Sequence, residues 1–500
     1  MTIGHWIDGQ PVTPSGEGAQ PVYNPATGEV IARLGLGTQA DVDRGVASAL
    51  AASARWAQVP VGKRAAVLFR FRELLVESTD ALAALVSREH GKVVSDARGE
   101  IARGLEVVEF ACGVPQLLQG AFSDQAATDI DVYSVREPLG VVVGITPFNF
   151  PVMVPLWMSP VAIATGNAFI LKPSERDPSA SLFLAELWQR AGLPDGVFTV
   201  LQGDKTVVDG LLHHPDVAAV SFVGSTPVAR YIHATASANG KRVQALGGAK
   251  NHGVVLADAD LDDAVNHLVA AAYGAAGERC MALPVVLVEE SVAEVLVEKL
   301  AHRAKDIRVT AGDQPGADMG PVITPAAKER IERIITSAQE QGATLVVDGR
   351  GYVVEGYENG FFVGPTLIDH VAVTQEVYRE EIFGPVLDVL RVGGLDEAIA
   401  IINANPYGNG TAVFTSSGEA ARTFRRSVHV GMIGVNVPIP VPVAWHSFGG
   451  WKDSLFGESH VYGPEGITFY TRGKVVTERW PHRAAPVAAP AFHFSGDAQK

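Results

Sequence analysis

Val141-Val142-Val143-Gly144-Ile145 is an apolar run in which no polar residue alternates with the branched ones. A strand with one face in water alternates in polarity, whereas a continuous apolar run of this length fits a strand covered on both faces. Ala168-Phe169-Ile170-Leu171, Val197 to Leu201, Val217 to Val223 and Val243 to Leu246 repeat the pattern, with helical spacing over 179–191, 205–213 and 226–238 between them. Alternation of buried strands and helices predicts a parallel α/β sheet. Such a sheet binds nucleotides at the carboxyl ends of its strands. No G-x-G-x-x-G follows any of these strands, so a pyrophosphate would have to be held differently. Gly224-Ser225-Thr226, between a strand and a helix N-terminus, is the alternative.

Upstream, residues 1–37 read as short strands, with a turn at Asn24-Pro25-Ala26-Thr27-Gly28-Glu29. Asp41 is placed to cap a helix running to about Trp56. A single long helix is expected over 61–91, with Val67, Leu68, Phe71, Leu74 and Leu75 on its apolar stripe, and a third begins near Ser95. On the third, Glu100, Arg103, Glu106 and Glu109 recur at three-residue spacing, which predicts one charged, solvated face. The polar, β-rich stretch 124–136 reads as an excursion from the first domain.

Downstream a second α/β series follows. It comprises Gly253 to Leu256, a helix over 261–273, Val285 to Val288, a helix to about 306, a segment Glu380 to Leu387 and a helix over 396–403. Val430 to Trp451 is rich in Pro, Gly and Val and reads as a loop-built wall turning at Ser447-Phe448-Gly449-Gly450. Residues 484–500 are Ala/Pro-rich and read as a disordered tail.

Five hundred residues exceed one core, so two or three domains are expected. The net charge of −15 argues against a nucleic-acid partner. Cys112 and Cys280 are the only cysteines, too few for a disulfide framework, which points to a reducing, cytoplasmic setting. The opening Met-Thr-Ile-Gly-His-Trp-Ile-Asp-Gly lacks the character of a signal or transit peptide. No apolar run reaches ~18 residues without Pro or Gly, so no membrane span is expected. No metal is assigned.

Cys280 lies in Gly274-Ala275-Ala276-Gly277-Glu278-Arg279-Cys280-Met281-Ala282-Leu283. Two readings fit: a small buried hydrophobe, or a nucleophile whose thiolate fraction the adjacent Arg279 raises. On the second reading, Gly274 and Gly277 let the backbone approach a bound carbonyl.

Five stretches, in order, resemble the NAD-dependent aldehyde dehydrogenase superfamily: Thr146-Pro147-Phe148-Asn149-Phe150-Pro151, Lys172-Pro173-Ser174-Glu175, Phe222-Val223-Gly224-Ser225-Thr226, Gly277 to Leu283, and Glu381-Ile382-Phe383-Gly384-Pro385. The resemblance implies an α/β protein in three parts. A Rossmann-like NAD-binding domain would take 1–123 and 141–247, and an α/β catalytic domain 248–454. A β extension at 124–140 and 455–480 would join copies into a homo-oligomer, dimer or tetramer, with 481–500 as tail.

It also implies roles. Cys280 would be the nucleophile, with its own N–H and the Asn149 amide as oxyanion donors. Thr146, Phe148, Lys172, Glu175, Arg176, Ser225, Gly247 and Glu381 would surround the cofactor. Lys172 and Glu175 would meet the adenosine ribose, Ser225 the pyrophosphate and Glu381 the nicotinamide ribose. Glu175 favours NAD over NADP, although an arginine at 176 can receive a phosphate.

One departure narrows the chemistry. Where hydrolytic members carry Glu-Leu-Gly-Gly-Lys, this chain reads Ala245-Leu246-Gly247-Gly248-Ala249-Lys250. Without that base, worth roughly 10²–10⁴-fold, a Cys280 thioester awaits a thiol rather than water. The stretch is similar to that of the branch that acylates coenzyme A while oxidising methylmalonate or malonate semialdehyde and releasing the carboxylate. That likeness implies Arg103 and Arg279 as carboxylate ligands. Glu278 and Pro284 depart from the branch's usual glutamine and serine. Hydrolysis to a carboxylic acid is the alternative.

Overall fold

The computed structural model describes residues 2–480; the expected tail at 481–500 lies outside the described residues, and the described residues form five sheets, of which three organise the chain. Val141–Ile145 lies inside an eight-stranded sheet. Its parallel heart runs Arg242–Leu246, Val217–Val223, Val141–Ile145, Ala168–Lys172, Phe198–Val200. Leu455–Phe456 closes one side antiparallel, and His5–Ile7 with Gln10–Val12 closes the other.

Both faces are covered, which is why the strands read as unbroken apolar runs. One face carries the cluster with Leu68, Phe71, Leu156, Trp157 and Trp188; the other carries Val42, Val46, Leu211, Ala229 and Ile232.

A second sheet of seven strands runs in the order Thr344–Val347, Thr366–Asp369, Val386–Val392, Val285–Glu289, His252–Val255, Gly410–Phe414, Met432–Val435, parallel except for its first pair. The third unit is a three-stranded sheet. Thr471–Arg479 lies along Ile130–Pro138, with Phe122–Ala127 on the other side.

Several expectations need correction. The long helix over 61–91 is two, Val61–Glu77 and Thr79–His90, separated at Ser78. The Thr79 hydroxyl donates to the Leu75 carbonyl, the local competition by which Ser and Thr loosen helices. Gly91, at φ +95°, ends the second helix in the left-handed conformation that suits glycine. Asp41 is not the cap itself. The helix Gln39–Trp56 starts after Thr38, and Asp41 Oδ2 accepts the Thr38 N–H at 2.9 Å. In the segment Glu380 to Leu387 the strand begins only at Val386, and 463–469 is a helix that precedes the final strand.

The helix Val94–Cys112 does not present one solvated charged face. Glu100 is buried at 3% exposure, Arg103 and Glu106 are half-buried, and only Glu109 is exposed.

Candidate active site

Cys280 follows a tight turn, Gly274–Gly277, at the end of the helix Leu261–Tyr273. Ala275 and Ala276 are both left-handed, at φ +50° and +52°, a conformation that costs an L-residue about 1–2 kcal/mol. The surroundings hold it in place. Asp96 Oδ2 accepts the Ala275 N–H at 3.0 Å, and Gly277 packs so closely that a Cβ there would lie 2.0 Å from the Gly384 carbonyl oxygen.

A Cβ on Gly274 would collide with the Arg279 guanidinium at 2.4 Å. Both glycines therefore make room for the protein's own groups, not for a bound carbonyl.

The Cys280 carbonyl is fixed by two side-chain amides: Asn251 Nδ2 donates to it at 2.9 Å and Asn409 Nδ2 at 3.1 Å. Asn251 Nδ2 also donates to Ala282 O at 2.8 Å, while its Oδ1 accepts the Gly410 N–H. The thiol itself is half-buried, in a small cavity of about 20 Å³ shared with Arg279 and Glu381.

Burial pushes the Cys280 thiol up to about 12, the nearby Glu381 carboxylate adds to the rise, and the local backbone amides and Arg279 only oppose it. Arg279 thus acts on the thiol in the direction the sequence suggested, but burial outweighs it. Its Nη2 is 2.6 Å from Asp96 Oδ1, so the guanidinium is shared with a carboxylate. Cys112 is buried in the cluster covering one face of the eight-stranded sheet, where desolvation and then Glu109 raise it to about 11.

Asn149 is buried at 3% exposure on the loop between Val141–Ile145 and the helix Met153–Ala164. Arg103 is on the same helix as Asp96, seven residues or about two turns further along, ~10 Å by helical rise. Its Nη1 contacts the Glu106 carboxylate at 2.7 Å, and its Nη2 donates to the Pro442 carbonyl at 2.8 Å. The Tyr462 hydroxyl donates to the same carbonyl at 3.0 Å. Arg103 thus joins the helix to the wall at 437–443. Each arginine already has a carboxylate neighbour.

The residues expected around a dinucleotide gather at the carboxyl ends of the first sheet. Lys172 Nζ and Glu175 Oε1 are 3.0 Å apart, with Lys172 almost fully enclosed. Arg176 Cζ lies over the Phe148 ring, 4.8 Å from its centroid, and Phe148 meets Phe383 edge-on. Ser225 is exposed at the N-cap of Thr226–Ala238, its side chain making no capping bond. Thr146 Oγ1 is buried without a hydrogen-bond partner.

Gly247 donates its N–H to Ser454 O, and a Cβ on Gly248 would lie 2.4 Å from Glu381 Oε2. Glu381 in turn accepts the Ala249 N–H at 2.9 Å, and burial raises its carboxyl to about 7. An unsatisfied buried hydroxyl, an open helix terminus and a lysine–glutamate pair along one sheet edge suit a dinucleotide.

Ala245 is fully buried, paired with Phe222 on one side and Phe456 on the other. Two residues from Cys280, Glu278 is 1% exposed; its Oε2 is 3.8 Å from His90 Nε2, and its Oε1 accepts the Ile323 N–H. Burial raises its carboxyl to about 8. Asp96, Asn251, Asn409 and Lys92 all act on the site and have no role in the sequence reading; Asn251 alone adjoins a stretch quoted there, directly after Ala245 to Lys250.

The aldehyde dehydrogenase family model matches residues 12–476. The chain belongs to the aldehyde dehydrogenase family. Among family members, malonate-semialdehyde dehydrogenase of Pseudomonas aeruginosa is 55% identical over 489 residues, 98% of each chain. The mouse mitochondrial methylmalonate-semialdehyde/malonate-semialdehyde dehydrogenase [acylating] is 48% identical over 490 residues, 98% of this chain and 91% of its own. An aldehyde dehydrogenase fold solved from Sinorhizobium meliloti in complex with NAD superposes with a TM-score of 0.95 at 51% identity, covering 96% of this chain and 98% of that one. Among the described residues no helix is long and apolar enough to cross a membrane.

Proposed function

We propose that the chain oxidises malonate or methylmalonate semialdehyde with NAD and passes the acyl group to coenzyme A, giving acetyl-CoA or propionyl-CoA as the carboxylate leaves. The observation that carries this reading is that the stretch Ala245 to Lys250 offers Cys280 no carboxylate: Ala245 is fully buried on the sheet face away from the cluster that Cys280 packs against, and Leu246, on the near face, is apolar. The acylating relative at 48% identity supports it.

In this reading the Cys280 thiol releases its proton to solvent and the thiolate adds to the aldehyde carbon, the C=O π pair moving onto oxygen. The oxyanion that forms takes hydrogen bonds from the Asn149 amide and the Cys280 N–H, donors that contribute most when held rigid, as the doubly bonded Cys280 carbonyl implies. Lys172, Glu175, Ser225, Thr146, Phe148, Gly247 and Glu381 would hold the dinucleotide; Arg176, stacked on Phe148, is less available to a 2′-phosphate, which favours NAD. When bound, NAD supplies the hydride acceptor. Arg103 and Arg279 orient the substrate carboxylate, exchanging part of their contact with Glu106 and Asp96 for it. Once the former aldehyde carbon has given up its hydride and become an acyl thioester, the β-carboxylate departs as carbon dioxide; the thioester carbonyl takes the electron pair as an enolate, which a proton from solvent quenches. The coenzyme A thiolate then bonds to the acyl carbon and the Cys280 thiolate leaves.

Residues 1–123 with 141–247 and residues 248–454 are the proposed nucleotide-binding and catalytic domains. The three-stranded sheet is proposed to join copies of the chain, since Phe122 and Val475 on it are 64% and 69% exposed. Free Cys112 and Cys280 fit a cytoplasmic setting. The test is NADH production from malonate semialdehyde with and without coenzyme A. Steady turnover that requires coenzyme A, with about one equivalent per site in its absence, is expected; rapid turnover with water alone would overturn the proposal.

A further inference from the structure

The buried pair Lys92 and Glu100 is not used by the chemistry above. Both side chains are fully enclosed, and Lys92 Nζ is 2.7 Å from Glu100 Oε2. Lys92 comes from the loop after Thr79–His90, where its own carbonyl accepts the Ser87 hydroxyl at 2.7 Å. Its ammonium also donates to the Asn149 carbonyl at 2.6 Å and lies 4.4 Å from the centroid of the Phe150 ring. The other oxygen of Glu100 accepts the N–H groups of Val152 at 2.8 Å and Met153 at 3.1 Å. Two side chains from outside the loop thus grip residues 149, 150, 152 and 153.

A fully buried ion pair is a weak source of stability, because desolvation offsets most of the attraction. It is a good source of position. Here its hydrogen bonds converge on the peptide that carries the Asn149 amide and on the first turn of the following helix.

We propose that Lys92 and Glu100 are positioning residues for the Asn149 amide, acting on the reaction only through it. The ammonium fixes the Asn149 carbonyl, Glu100 fixes both the ammonium and the helix start, and the direction of the Asn149 side chain follows. This rests on the reading of Asn149 as an oxyanion donor, whose value depends on angle and distance. Displacement by 1 Å can cost on the order of 10²-fold in rate.

The test is a double-mutant cycle on the holoenzyme, read as the burst rate of NADH formation from propanal. Lys92→Met/Glu100→Gln removes both charges together, so neither is left alone in the core. The pair should slow the burst about 10-fold, with propanal KM and the NAD dissociation constant within about twofold of wild type. Asn149→Ala should slow it about 100-fold, and the triple variant should be no slower than Asn149→Ala. Losses that multiply, a raised KM, or a wild-type burst in the paired variant would overturn the positioning role. An unaffected burst in Asn149→Ala would instead overturn the oxyanion reading. If the paired variant does not fold, Lys92→Arg, which keeps the charge but re-angles its grip on the carbonyl, enters the same cycle with the same outcomes.

Discussion

Arg279, adjacent to Cys280 in sequence, is bound to Asp96 on the helix Val94–Cys112, with Nη2 2.6 Å from Oδ1. The other Asp96 oxygen accepts the Ala275 N–H, so one carboxylate holds both the arginine and the left-handed turn ahead of the nucleophile. Asp96→Ala should therefore lower kcat/KM for propanal and malonate semialdehyde alike, by roughly 10-fold or more, since charge-assisted hydrogen bonds are worth ~1.5–3 kcal/mol. A loss confined to malonate semialdehyde would show that Asp96 acts on the carboxylate site alone.

Arg103 is removed from that turn and offers the cleaner test of carboxylate recognition. Arg103→Leu should reduce the preference for malonate semialdehyde over propanal by roughly 10- to 150-fold. Arg103→Lys should recover only part of it, because lysine keeps the charge and loses the planar fork that now spans Glu106 and Pro442. An unchanged preference ratio would place the carboxylate elsewhere.

The Cys280 thiol, raised to about 12 by burial and Glu381, is almost wholly protonated in the free enzyme at neutral pH. Only the thiolate reacts with iodoacetamide, so alkylation of Cys280 should climb close to tenfold per pH step from 8 to 10, without a plateau. Mass mapping of the labelled peptide separates it from Cys112. A plateau near pH 8 would mean a far more acidic thiol than this site supports.

Glu278 makes a pH-dependent contribution to stability. Burial raises its folded-state carboxyl to about 8 from an ordinary 4.5, so between those values the folded chain holds a proton that the unfolded chain has released. Stability from this group is full below about 4.5 and is lost as pH rises to about 8. Glu278→Gln should accordingly stabilise the protein by about 1–3 kcal/mol at pH 8.5, with much less effect at pH 5. Denaturant midpoints at the two pH values decide it; an equal change at both would place the carboxylate's energetics elsewhere.

The doubly wound sheet was readable because covering a strand on both faces leaves an unbroken apolar run, as in Val141–Ile145 and Val217–Val223. The break at Ser78 was not readable, since the apolar spacing continues through it. Nor was the burial of Glu100, because a three-residue spacing of charges is the same whether a helix faces water or a lysine contributed by another segment. Lysine is so rarely enclosed that nothing singled out Lys92. Asn409 reaches the Cys280 carbonyl across 129 residues of chain, a contact set by the packing of two strands and a loop. Cys280 stood out in a chain with two thiols, but its neighbours' tasks did not: Gly274 accommodates an arginine rather than a ligand.

Ala245 belongs to the same apolar cluster as Ile145, Val220, Phe222 and Ile232. A glutamate introduced there would have to ionise inside a hydrocarbon core or stay protonated, and only the ionised form could activate water. The glutamate would also stand on the sheet face away from the cluster that Cys280 packs against, so a carboxylate at 245 alone would not turn this chain into a water acceptor. Phe222 and Phe456 flank Ala245 and keep that face closed, so any drift in acyl acceptor would have to begin on the opposite face, where Leu246 shares a cluster with Cys280.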